Sequence, residues 1–321
     1  MNSKTKTPPT AQTDCDVLVI GSGAAGLSAA VRAAWQGLDV VVVEKEPVFG
    51  GTSAWSGGWL WIPRNHLARE AGIDEAPEAP KTYLRNELGD GYDEARVDAF
   101  LEAGPEMVAF FHHNTALSFL PGNAVPDFHG HTEGAGTGGR SVTAAPFDGR
   151  ELGPMIDKLR PPLREISFWG LGIASGADIG HFLKFLRSPA STWHVCKRMT
   201  RHLWDLARYR RGMQLVNGNA LVARLVRSAL DLGVDIRVST RVSALLSNES
   251  GRVEGARLVT ENGPVEIRAR SGVVLACGGF PTTRHVSGSC SPTRQPVPST
   301  IPRHRKPIPA TASALAKAPA A

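Results

Sequence analysis

The sequence has few cysteines, and their placement excludes several classes of protein. They are scattered over 321 residues, with no C-x-x-C pair and no metal-ligand spacing, at Cys15, Cys196, Cys277 and Cys290. A disulfide-stapled secreted domain or a zinc module needs cysteines at close, paired spacings. We therefore expect free thiols, a reducing compartment, a cytoplasmic location and no metal site.

Long hydrophobic runs are also missing. No apolar run approaches the length of about 20 residues that a membrane-spanning helix needs. The N-terminal residues Met1–Asp14 are polar and lack the apolar core of a signal peptide. We predict no transmembrane segment and a disordered N-terminus over residues 1–13.

Excess charge is confined to one end of the chain. Residues 281–321 contain six basic residues and no acid, which accounts for the whole net charge of +6. The balanced remainder has no electrostatic footprint for a polyanion, so we expect no nucleic-acid partner. The same 281–321 stretch is proline-rich and has no Phe, Trp or Tyr. It cannot bury enough apolar surface to offset chain entropy, so we predict disorder there.

What is present is concentrated in residues 16–58. A short apolar run, Val17–Ile20, is bounded by glycine and predicts a buried strand. A G-x-G-x-x-G turn follows, and then an alanine-rich helix over Leu27–Gly37. Val40–Val43 predicts a second buried strand. This strand–turn–helix–strand order is the context in which a G-x-G-x-x-G turn binds a dinucleotide.

Each residue of the turn has a physical task. Gly21 allows the tight turn, Gly23 lets a pyrophosphate approach the backbone, and Gly26 lets the helix pack close to the strand. The helix N-terminus offers N–H groups and the positive end of its dipole to the phosphate, and Ala24 and Ala25 in the turn are also predicted to bind the cofactor.

An acid closes the second strand. Glu44 lies at the place, about 20 residues beyond the turn, where an acid accepts the ribose hydroxyls of an adenosine. Lys45 follows it and joins the predicted site. The alternative is a glycine-rich loop with no ligand. It would require the strand, turn, helix, second strand and acid to occur in this order by chance.

A second glycine-rich loop distinguishes between dinucleotides. Residues 50–58, GGTSAWSGG, contain two glycine pairs with three hydroxyl side chains between them. Such a loop suits a cofactor that reaches beyond its pyrophosphate. We favour FAD over NAD, and an NAD-binding module remains the alternative.

The string GGTSAWSGGWLWIP resembles the segment beside the flavin in FAD-dependent oxidoreductases of the fumarate reductase and 3-ketosteroid dehydrogenase superfamily. The resemblance implies a Rossmann-like α/β FAD-binding domain of the glutathione-reductase type. It also implies hydride transfer between FAD and a carbon–carbon bond next to a ketone or carboxylate, in a ketosteroid or fumarate-like substrate. The residues implied near the flavin are Gly51, Thr52, Ser53, Ser56, Gly57 and Gly58.

Two later segments resemble the same family. GNAL at 218–221 opens a predicted helix that ends near Gly233, and Val234–Val238 alternates as a strand. The resemblance implies that Arg241 and the backbone of Val242 lie near the adenine. A predicted hairpin around 261–264 precedes a buried strand, 272–279. Its implied cofactor neighbours are Ala276 and Gly278, and a buried strand without cofactor contact is the alternative.

The resemblance covers residues 14–280, which we assign to the first segment of an FAD-binding domain. The family's substrate-capping domain and closing segment are expected after residue 280 and are missing from this sequence. One codon choice for residues 306–321, read one base earlier, gives ETDTGDGLRLGESAGG, which resembles the family's TGDG-type segment. We therefore hypothesise that the 281–321 tail is a shifted reading frame.

No catalytic residue is predicted. In the steroid dehydrogenases of the family, tyrosines near the flavin help remove the substrate's proton. Here Leu117–Gly130 contains no tyrosine, and the chain has three, at Tyr83, Tyr92 and Tyr209. An FAD-binding remnant without activity is therefore an alternative to the dehydrogenase.

Several other patterns leave two interpretations open. Three tryptophans within Trp55–Trp61 either cover a ring cofactor or pack. Glu94–Asn114 predicts a helix with a break at Gly104–Pro105, and its terminal His112 and His113 are expected to cap helix carbonyls rather than bind metal. Glycine and proline over Leu120–Gly153 predict a loop, in which His129 and His131 lack a third metal ligand.

Trp193–Arg211 predicts a basic amphipathic helix. Such a helix can lie on a membrane surface. We favour the simpler alternative, a solvated face over a packed stripe of Val195, Met199, Leu203 and Leu206.

Overall fold

The computed structural model describes residues 12–163, 165, 167–174, 176–261 and 263–279. The strands are β1 (Gln12–Ile20), β2 (Val40–Val43), β3 (Trp59–Trp61), β4 (Phe119–Pro121), β5 (Ser141–Ala144), β6 (Phe147–Asp148), β7 (Ser167–Phe168), β8 (Leu171–Gly172), β9 (Gln214–Leu215), β10 (Asp235–Arg237), β11 (Arg241–Ser247), β12 (Val253–Thr260) and β13 (Gly263–Leu275). The α-helices are α1 (Ala24–Trp35), α2 (His66–Glu70), α3 (Glu78–Leu88), α4 (Glu94–Asn114), α5 (Ala177–Leu183), α6 (Pro189–Tyr209) and α7 (Asn217–Asp231). Short 3-10 helices span Ser53–Trp55, Gly89–Gly91 and Gly149–Lys158.

The chain divides into two compact units. The first, here the sheet unit, contains the chain up to Gly51 and from Leu232 onward. The second, here the helical unit, is Thr52–Asp231.

The sheet unit is built on six strands in the order β10-β2-β1-β13-β12-β11. Strands β10, β2, β1 and β13 are parallel to one another, and β12 pairs antiparallel with both β13 and β11. The four valines of β2 are all buried, as expected of a parallel strand covered on both faces. Helix α1 joins β1 to β2 and buries Leu27, Ala30 and Val31. This arrangement confirms the predicted Rossmann-like α/β fold.

The other side of the sheet has an apolar core. Leu18 and Ile20 of β1 meet Val41 and Val43 of β2 there, because alternate residues of a strand face the same side. The cluster continues over the antiparallel strands to Val242, Leu258 and Ile267. The predicted hairpin is present, but its second strand and the returning strand are one element, β13, which pairs with both β12 and β1.

The helical unit combines helices with short antiparallel strands. Its largest sheet has three strands in the order β3-β5-β4. The predicted loop over Leu120–Gly153 was wrong in part, because the ends of this stretch form β4 to β6 and the start of a 3-10 helix. The break expected at Gly104–Pro105 is absent, and α4 continues through Pro105. Gly104 is needed for packing instead, since a Cβ there would lie 3.1 Å from Ile62 Cγ2.

The predicted stripe of α6 was also wrong. Helix α6 buries Ser191, Val195, Arg198, His202 and Asp205, a mostly polar row at spacings of three and four. Of the four predicted residues only Val195 is buried, and Leu203 is exposed. The buried charges of this row have ion-pair partners, which offset the cost of removing them from water.

Of the two chain ends predicted to be disordered, the described residues include only residues 12 and 13. Strand β1 already begins at Gln12, so residues 12 and 13 are not part of a disordered terminus. Residues 1–11 and the tail 281–321 lie outside the described residues. Among the described residues, the model contains no helix with the length and apolar character to cross a bilayer.

Candidate cofactor site

The glycines of the turn between β1 and α1 are sterically required. Gly21 has φ +109°, and a Cβ there would lie 2.3 Å from the Ala276 carbonyl oxygen. A Cβ on Gly26 would lie 2.0 Å from the carbonyl oxygen of Gly21. Backbone atoms cannot move aside as the end of a side chain can, so these two positions accept glycine alone. The predicted roles of Gly21 and Gly26 in a tight turn and close packing are confirmed.

The helix after the turn begins without a side-chain cap. Gly23 is its N-cap, with extended backbone angles of φ −73° and ψ −178° and no capping hydrogen bond from a side chain. The next residues, Ala24 and Ala25, are small, and Ala25 is exposed. No acidic side chain lies in the first turn. The positive end of the helix dipole therefore faces a region that an anion can enter.

Glu44 is buried at the end of β2, with 8% of its surface exposed. Its Oε2 accepts hydrogen bonds from the Ser22 amide at 3.2 Å and the Ser22 hydroxyl at 2.6 Å. Its Oε1 accepts one from the Glu46 amide at 3.0 Å. Within the described part of the chain, no basic side chain forms an ion pair with it. A carboxylate has about four acceptor sites, so Glu44 keeps capacity for the hydroxyls of a ligand.

Ser22 is a site residue that the sequence analysis missed. Besides orienting Glu44, it binds the second glycine pair, since Gly50 N donates to the Ser22 hydroxyl at 3.2 Å and to its carbonyl at 3.1 Å. The next residue, Gly51, has φ +52°, and a Cβ on it would lie 3.8 Å from Gly23 Cα. The signal available in the sequence was the hydroxyl side chain of Ser22 between two glycines.

The connection from β10 to β11 meets the end of β2. Glu44 N donates to Arg237 O at 2.8 Å, and Thr240 N donates to Glu44 O at 2.8 Å. Val242 follows two residues later with its side chain in the apolar core. Lys45 lies beside Glu44 with its Nζ 3.7 Å from Glu46 Oε1. The structure thus brings Val242 and Lys45 to the same end of the sheet as Glu44, and their contact with a cofactor stays a prediction.

The end of β13 reaches the turn, and the contact of Ala276 and Gly278 with a cofactor, which the resemblance implies, stays a prediction. Ala276 N donates to Ile20 O at 2.8 Å, and its carbonyl faces Gly21. Gly278 has φ +76° and open space where a Cβ would stand. Between them, the Cys277 thiol lies 3.5 Å from Ile20 O, and burial, followed by the charge of Glu44, raises the pKa of this thiol.

In the helical unit, the predicted flavin-side residues form a compact loop against the start of α7. The Ser56 hydroxyl donates to Ser53 O at 2.8 Å and accepts from Gly58 N at 3.1 Å. Gly58 has φ +71°, and a Cβ there would lie 2.5 Å from the Asn217 carbonyl carbon. Thr52 and Gly57 lie on the exposed side of this loop.

The GNAL segment at 218–221 packs against this loop and forms hydrogen bonds with it. The resemblance of this segment to the family did not indicate that contact. A Cβ on Gly218 would lie 2.0 Å from Ser53 O, and Gly218 N donates to Ser56 O at 3.0 Å. Asn219 Nδ2 donates to Ala54 O at 2.6 Å. The Asn219 Oδ1 is buried and has no hydrogen-bond partner among the described residues.

Comparison with known proteins identifies the family. A family model described as an FAD binding domain matches residues 16–304. The chain belongs to the FAD-binding domain family. This match confirms the prediction of FAD over NAD.

Curated relatives are dehydrogenases. A 4-oxocyclohex-2-ene-1-carboxylate 5-dehydrogenase of Sinomonas cyclohexanicum is 41% identical over 266 residues, or 83% of this chain and 45% of that protein. A 3-oxosteroid 1-dehydrogenase of Mycobacterium tuberculosis is 37% identical over 273 residues, or 83% of this chain and 47% of that protein. The chain thus spans about half the length of the curated relatives it matches.

Solved structures agree on the fold. The 3-ketosteroid delta1-dehydrogenase of Sterolibacterium denitrificans, solved in complex with 1,4-androstadiene-3,17-dione, has a TM-score of 0.75 and 33% identity over 84% of this chain and 48% of that one. A flavocytochrome c3 fumarate reductase has a TM-score of 0.50 and 20% identity over 84% of this chain and 34% of that one, which supports the fold alone. The resemblance to this superfamily is confirmed.

The residues of the sheet unit fit the adenosine and pyrophosphate parts of FAD. The glycine turn is closely packed, the start of α1 has no acidic side chain and favours an anion, and Glu44 keeps an acceptor site for a hydroxyl group. In the helical unit, the Ser56 hydroxyl is used within its own loop.

Two of the three tryptophans of Trp55–Trp61 have hydrogen bonds within the helical unit. Trp61 Nε1 donates to Asp127 at 2.6 Å, and its ring stacks on Phe100 at 6.2 Å. Trp55 Nε1 donates to Pro161 O at 3.0 Å. The cap predicted for His112 was wrong, because its Nδ1 accepts from Phe119 N at 3.1 Å. Among the described residues, no three His, Cys, Asp or Glu side chains are grouped so as to hold a metal ion.

Proposed function

We propose that this chain is part of an FAD-dependent oxidoreductase that transfers a hydride from a carbon–carbon bond next to a carbonyl. The observation that supports it is the buried Glu44 carboxylate beside the glycine turn, which has neutral donors around it and spare acceptor capacity. Three hydrogen bonds offset much of the cost of burying this carboxylate, and about one of its four acceptor sites remains for a ligand hydroxyl.

The chain's own residues bind and orient the cofactor. Glu44 accepts hydrogen bonds from the ribose hydroxyls, and the N-terminus of α1 stabilises the negative pyrophosphate. Gly21 and Gly26 keep the turn narrow so that the backbone can approach the phosphates. FAD, when bound, supplies the acceptor for the hydride.

We infer that the substrate is a cyclic ketone, either a 3-oxosteroid or an oxocyclohexene carboxylate. These are the substrates named in the relatives that are 37% and 41% identical. In both, the carbonyl acidifies the neighbouring C–H, so loss of a proton there accompanies loss of the hydride from the next carbon. The base that takes this proton is not assigned to a residue of this chain.

A second candidate is a protein that binds FAD without turning over. The three tyrosines are the observation that favours it, since all belong to the helical unit and have structural contacts. Tyr83 packs against Trp61, Tyr92 lies under Arg85, and Tyr209 lies under Arg150. None of them is placed in the sheet unit with the glycine turn.

The test is the visible spectrum of the purified chain, followed by acid release of the chromophore. We expect a flavin spectrum with FAD close to one per chain. Turnover of a 3-oxosteroid or a 4-oxocyclohexene carboxylate with an artificial electron acceptor supports the dehydrogenase. Bound FAD without turnover of either substrate supports the second candidate, and NAD binding without flavin contradicts both.

Glu44→Gln tests the role of this carboxylate. The amide would place its NH₂ group against the donors of either Ser22 or Glu46 and would remove the negative charge, so we expect FAD affinity to fall about tenfold to a hundredfold. Fluorescence titration of the apoprotein with FAD measures it. Glu46→Gln, at a side chain that is 46% exposed, is the matched control and is expected to retain affinity. Equal affinities for both variants would contradict the assignment.

We further propose a cytoplasmic location. The three cysteines that the structure describes are free thiols, which suits a reducing compartment. The physiological electron acceptor is not assigned.

A further inference from the structure

The turn between α5 and α6 exposes a run of apolar and basic side chains. It consists of residues 183–187, LKFLR, and all five are exposed. Leu183 is 75% exposed and Leu186 is 77% exposed. Water is an unfavourable environment for such large apolar side chains, and a soluble domain rarely groups them on one turn.

The outer face of α6 continues this pattern. Trp193, Lys197, Trp204 and Arg208 lie on one side of the helix, because their spacings of four, seven and four residues match its period. Trp193 is 73% exposed and Trp204 is 66% exposed. We call this row and the LKFLR turn together the α5–α6 face.

The α5–α6 face rests on a fixed scaffold. The His181 and His194 rings stack at 4.4 Å and join α5 to α6. Leu186 N donates to the Thr192 hydroxyl at 3.1 Å, and Leu186 itself has a left-handed φ of +64°. A leucine adopts this conformation only when its surroundings impose it. The exposed side chains are therefore held outward.

Every charged side chain of the α5–α6 face is basic. Between residues 176 and 211 the sequence has only two acids, Asp178 and Asp205. Asp205 is buried and paired to Arg150 at 2.5 Å, and Asp178, whose side chain is 10% exposed, is paired to Arg198 at 2.8 Å. The exposed charged residues of this segment are Lys184, Arg187, Lys197, Arg201, Arg208 and Arg210.

We propose that the α5–α6 face binds the surface of an anionic lipid bilayer. Exposed tryptophan and leucine side chains insert among the acyl chains and headgroups, while interleaved lysines and arginines contact anionic headgroups. A second copy of the chain is disfavoured as the occupant, because two such faces would bring like charges together. Protein interfaces also deplete lysine in their apolar centre, where Lys197 lies between two tryptophans. The proposal does not depend on the dehydrogenase activity.

Flotation of the full, FAD-loaded chain with vesicles tests the proposal. The vesicles are phosphatidylcholine alone or phosphatidylcholine mixed with phosphatidylglycerol. We expect binding to the mixed vesicles that weakens as salt is added, because the anionic surface attracts the basic residues within a Debye length.

The double variant Trp193→Ser/Trp204→Ser should lose binding by about tenfold or more, since both side chains contribute buried apolar area. Phe128→Ser is the matched control, because Phe128 is a fully exposed aromatic on the loop between β4 and β5. The FAD absorbance and circular dichroism of each variant show that it is folded.

Three results would overturn the proposal. One is a folded wild-type chain that floats with neither vesicle. Another is an equal loss of binding in the Phe128 variant. The third is a concentration-dependent dimer, seen by light scattering, that the double variant abolishes, since this would identify a second copy as the occupant.

Discussion

The two units of this protein bury their charges differently. In the helical unit, the buried charges Asp127, Arg140, Arg198 and Asp205 all have an oppositely charged partner. In the sheet unit, among the described residues, the buried charge is Glu44, and its hydrogen-bond partners are neutral. In a buried ion pair, each charged group is neutralised by its partner and forms hydrogen bonds with it. A buried carboxylate with three neutral donors keeps about one free acceptor site, and this difference is the basis of the adenosine site that we propose for the sheet unit.

The two units also differ in how far apart along the chain the partners of their polar side chains lie. The polar site of the sheet unit is made of residues such as Ser22 and Glu44, which lie just past the ends of β1 and β2. The helical unit joins distant parts of the chain through single side chains. Arg140 reaches Glu75 and Asp127, and its guanidinium also lies 5.9 Å from the Trp61 ring.

The largest expected effect comes from breaking a buried ion pair of the helical unit. Asp127→Ala removes the carboxylate that Arg140 Nη1 binds at 2.6 Å and that Trp61 Nε1 and Gly136 N also need. Arg140 keeps its pair with Glu75, but its Nη1, the Trp61 indole and the Gly136 amide all lose their acceptor. At about 1–3 kcal/mol for each unsatisfied donor, we expect a loss of about 3–5 kcal/mol in the free energy of unfolding. Urea denaturation followed by circular dichroism measures it.

Glu266→Ala is the control for that change in the sheet unit. Its carboxylate accepts from Arg257 Nη2 at 2.8 Å, and both side chains are largely exposed to water. An exposed pair contributes about 0–1 kcal/mol. If both variants lost the same stability, the distinction between the two kinds of charge would fail.

The next largest effect is expected in the glycine turn. Gly26→Ala forces a methyl group to within 2.0 Å of the Gly21 carbonyl oxygen, so the turn and α1 must separate. We expect a loss of about 1–3 kcal/mol in the free energy of unfolding, together with loss of bound FAD. The flavin absorbance per chain and a urea titration measure the two effects.

Gly37→Ala, just beyond the other end of α1, is the control for Gly26→Ala. It introduces backbone strain without the steric clash that a methyl group meets at Gly26. Gly37 has φ +84°, and no atom of the described residues lies within 4 Å of a Cβ there. The strain alone should cost about 1 kcal/mol and leave FAD bound. Retention of FAD by Gly26→Ala would show that the close approach at Gly26 is dispensable.

The sequence predicted the sheet unit better than the helical unit for a physical reason. Adjacent strands, glycines and an acid form a local pattern, and the turn, α1, β2 and Glu44 were found where expected. The buried row of α6 was missed because apolar periodicity placed Leu203 inside, whereas Arg198 and Asp205 are buried by partners far along the chain. Ser22 was missed because its role depends on where the Glu44 side chain points.

The smallest expected effect is a pH dependence of the helical unit's stability. Both ring nitrogens of His66 are buried without a hydrogen-bond partner among the described residues, and burial lowers the pKa of this histidine. The native state therefore holds His66 neutral, while the unfolded chain binds a proton below about pH 6.5. Stability should be fully present above that pH and should fall as the pH drops through it toward the lowered native pKa.

His66→Phe keeps a ring of similar shape and removes the titrating group. We expect this variant to lose less stability than the wild type between about pH 7.5 and pH 5.5, as measured by urea midpoints, because it has no proton to bind in the unfolded state. The pKa of His112 is also lowered by burial, so part of the dependence should persist. His131→Phe, at an exposed histidine, is the control. An identical loss in wild type and His66→Phe would mean that His66 becomes protonated without disturbing its surroundings, and that an uncharged buried polar group matters less to the helical unit than its ion pairs do.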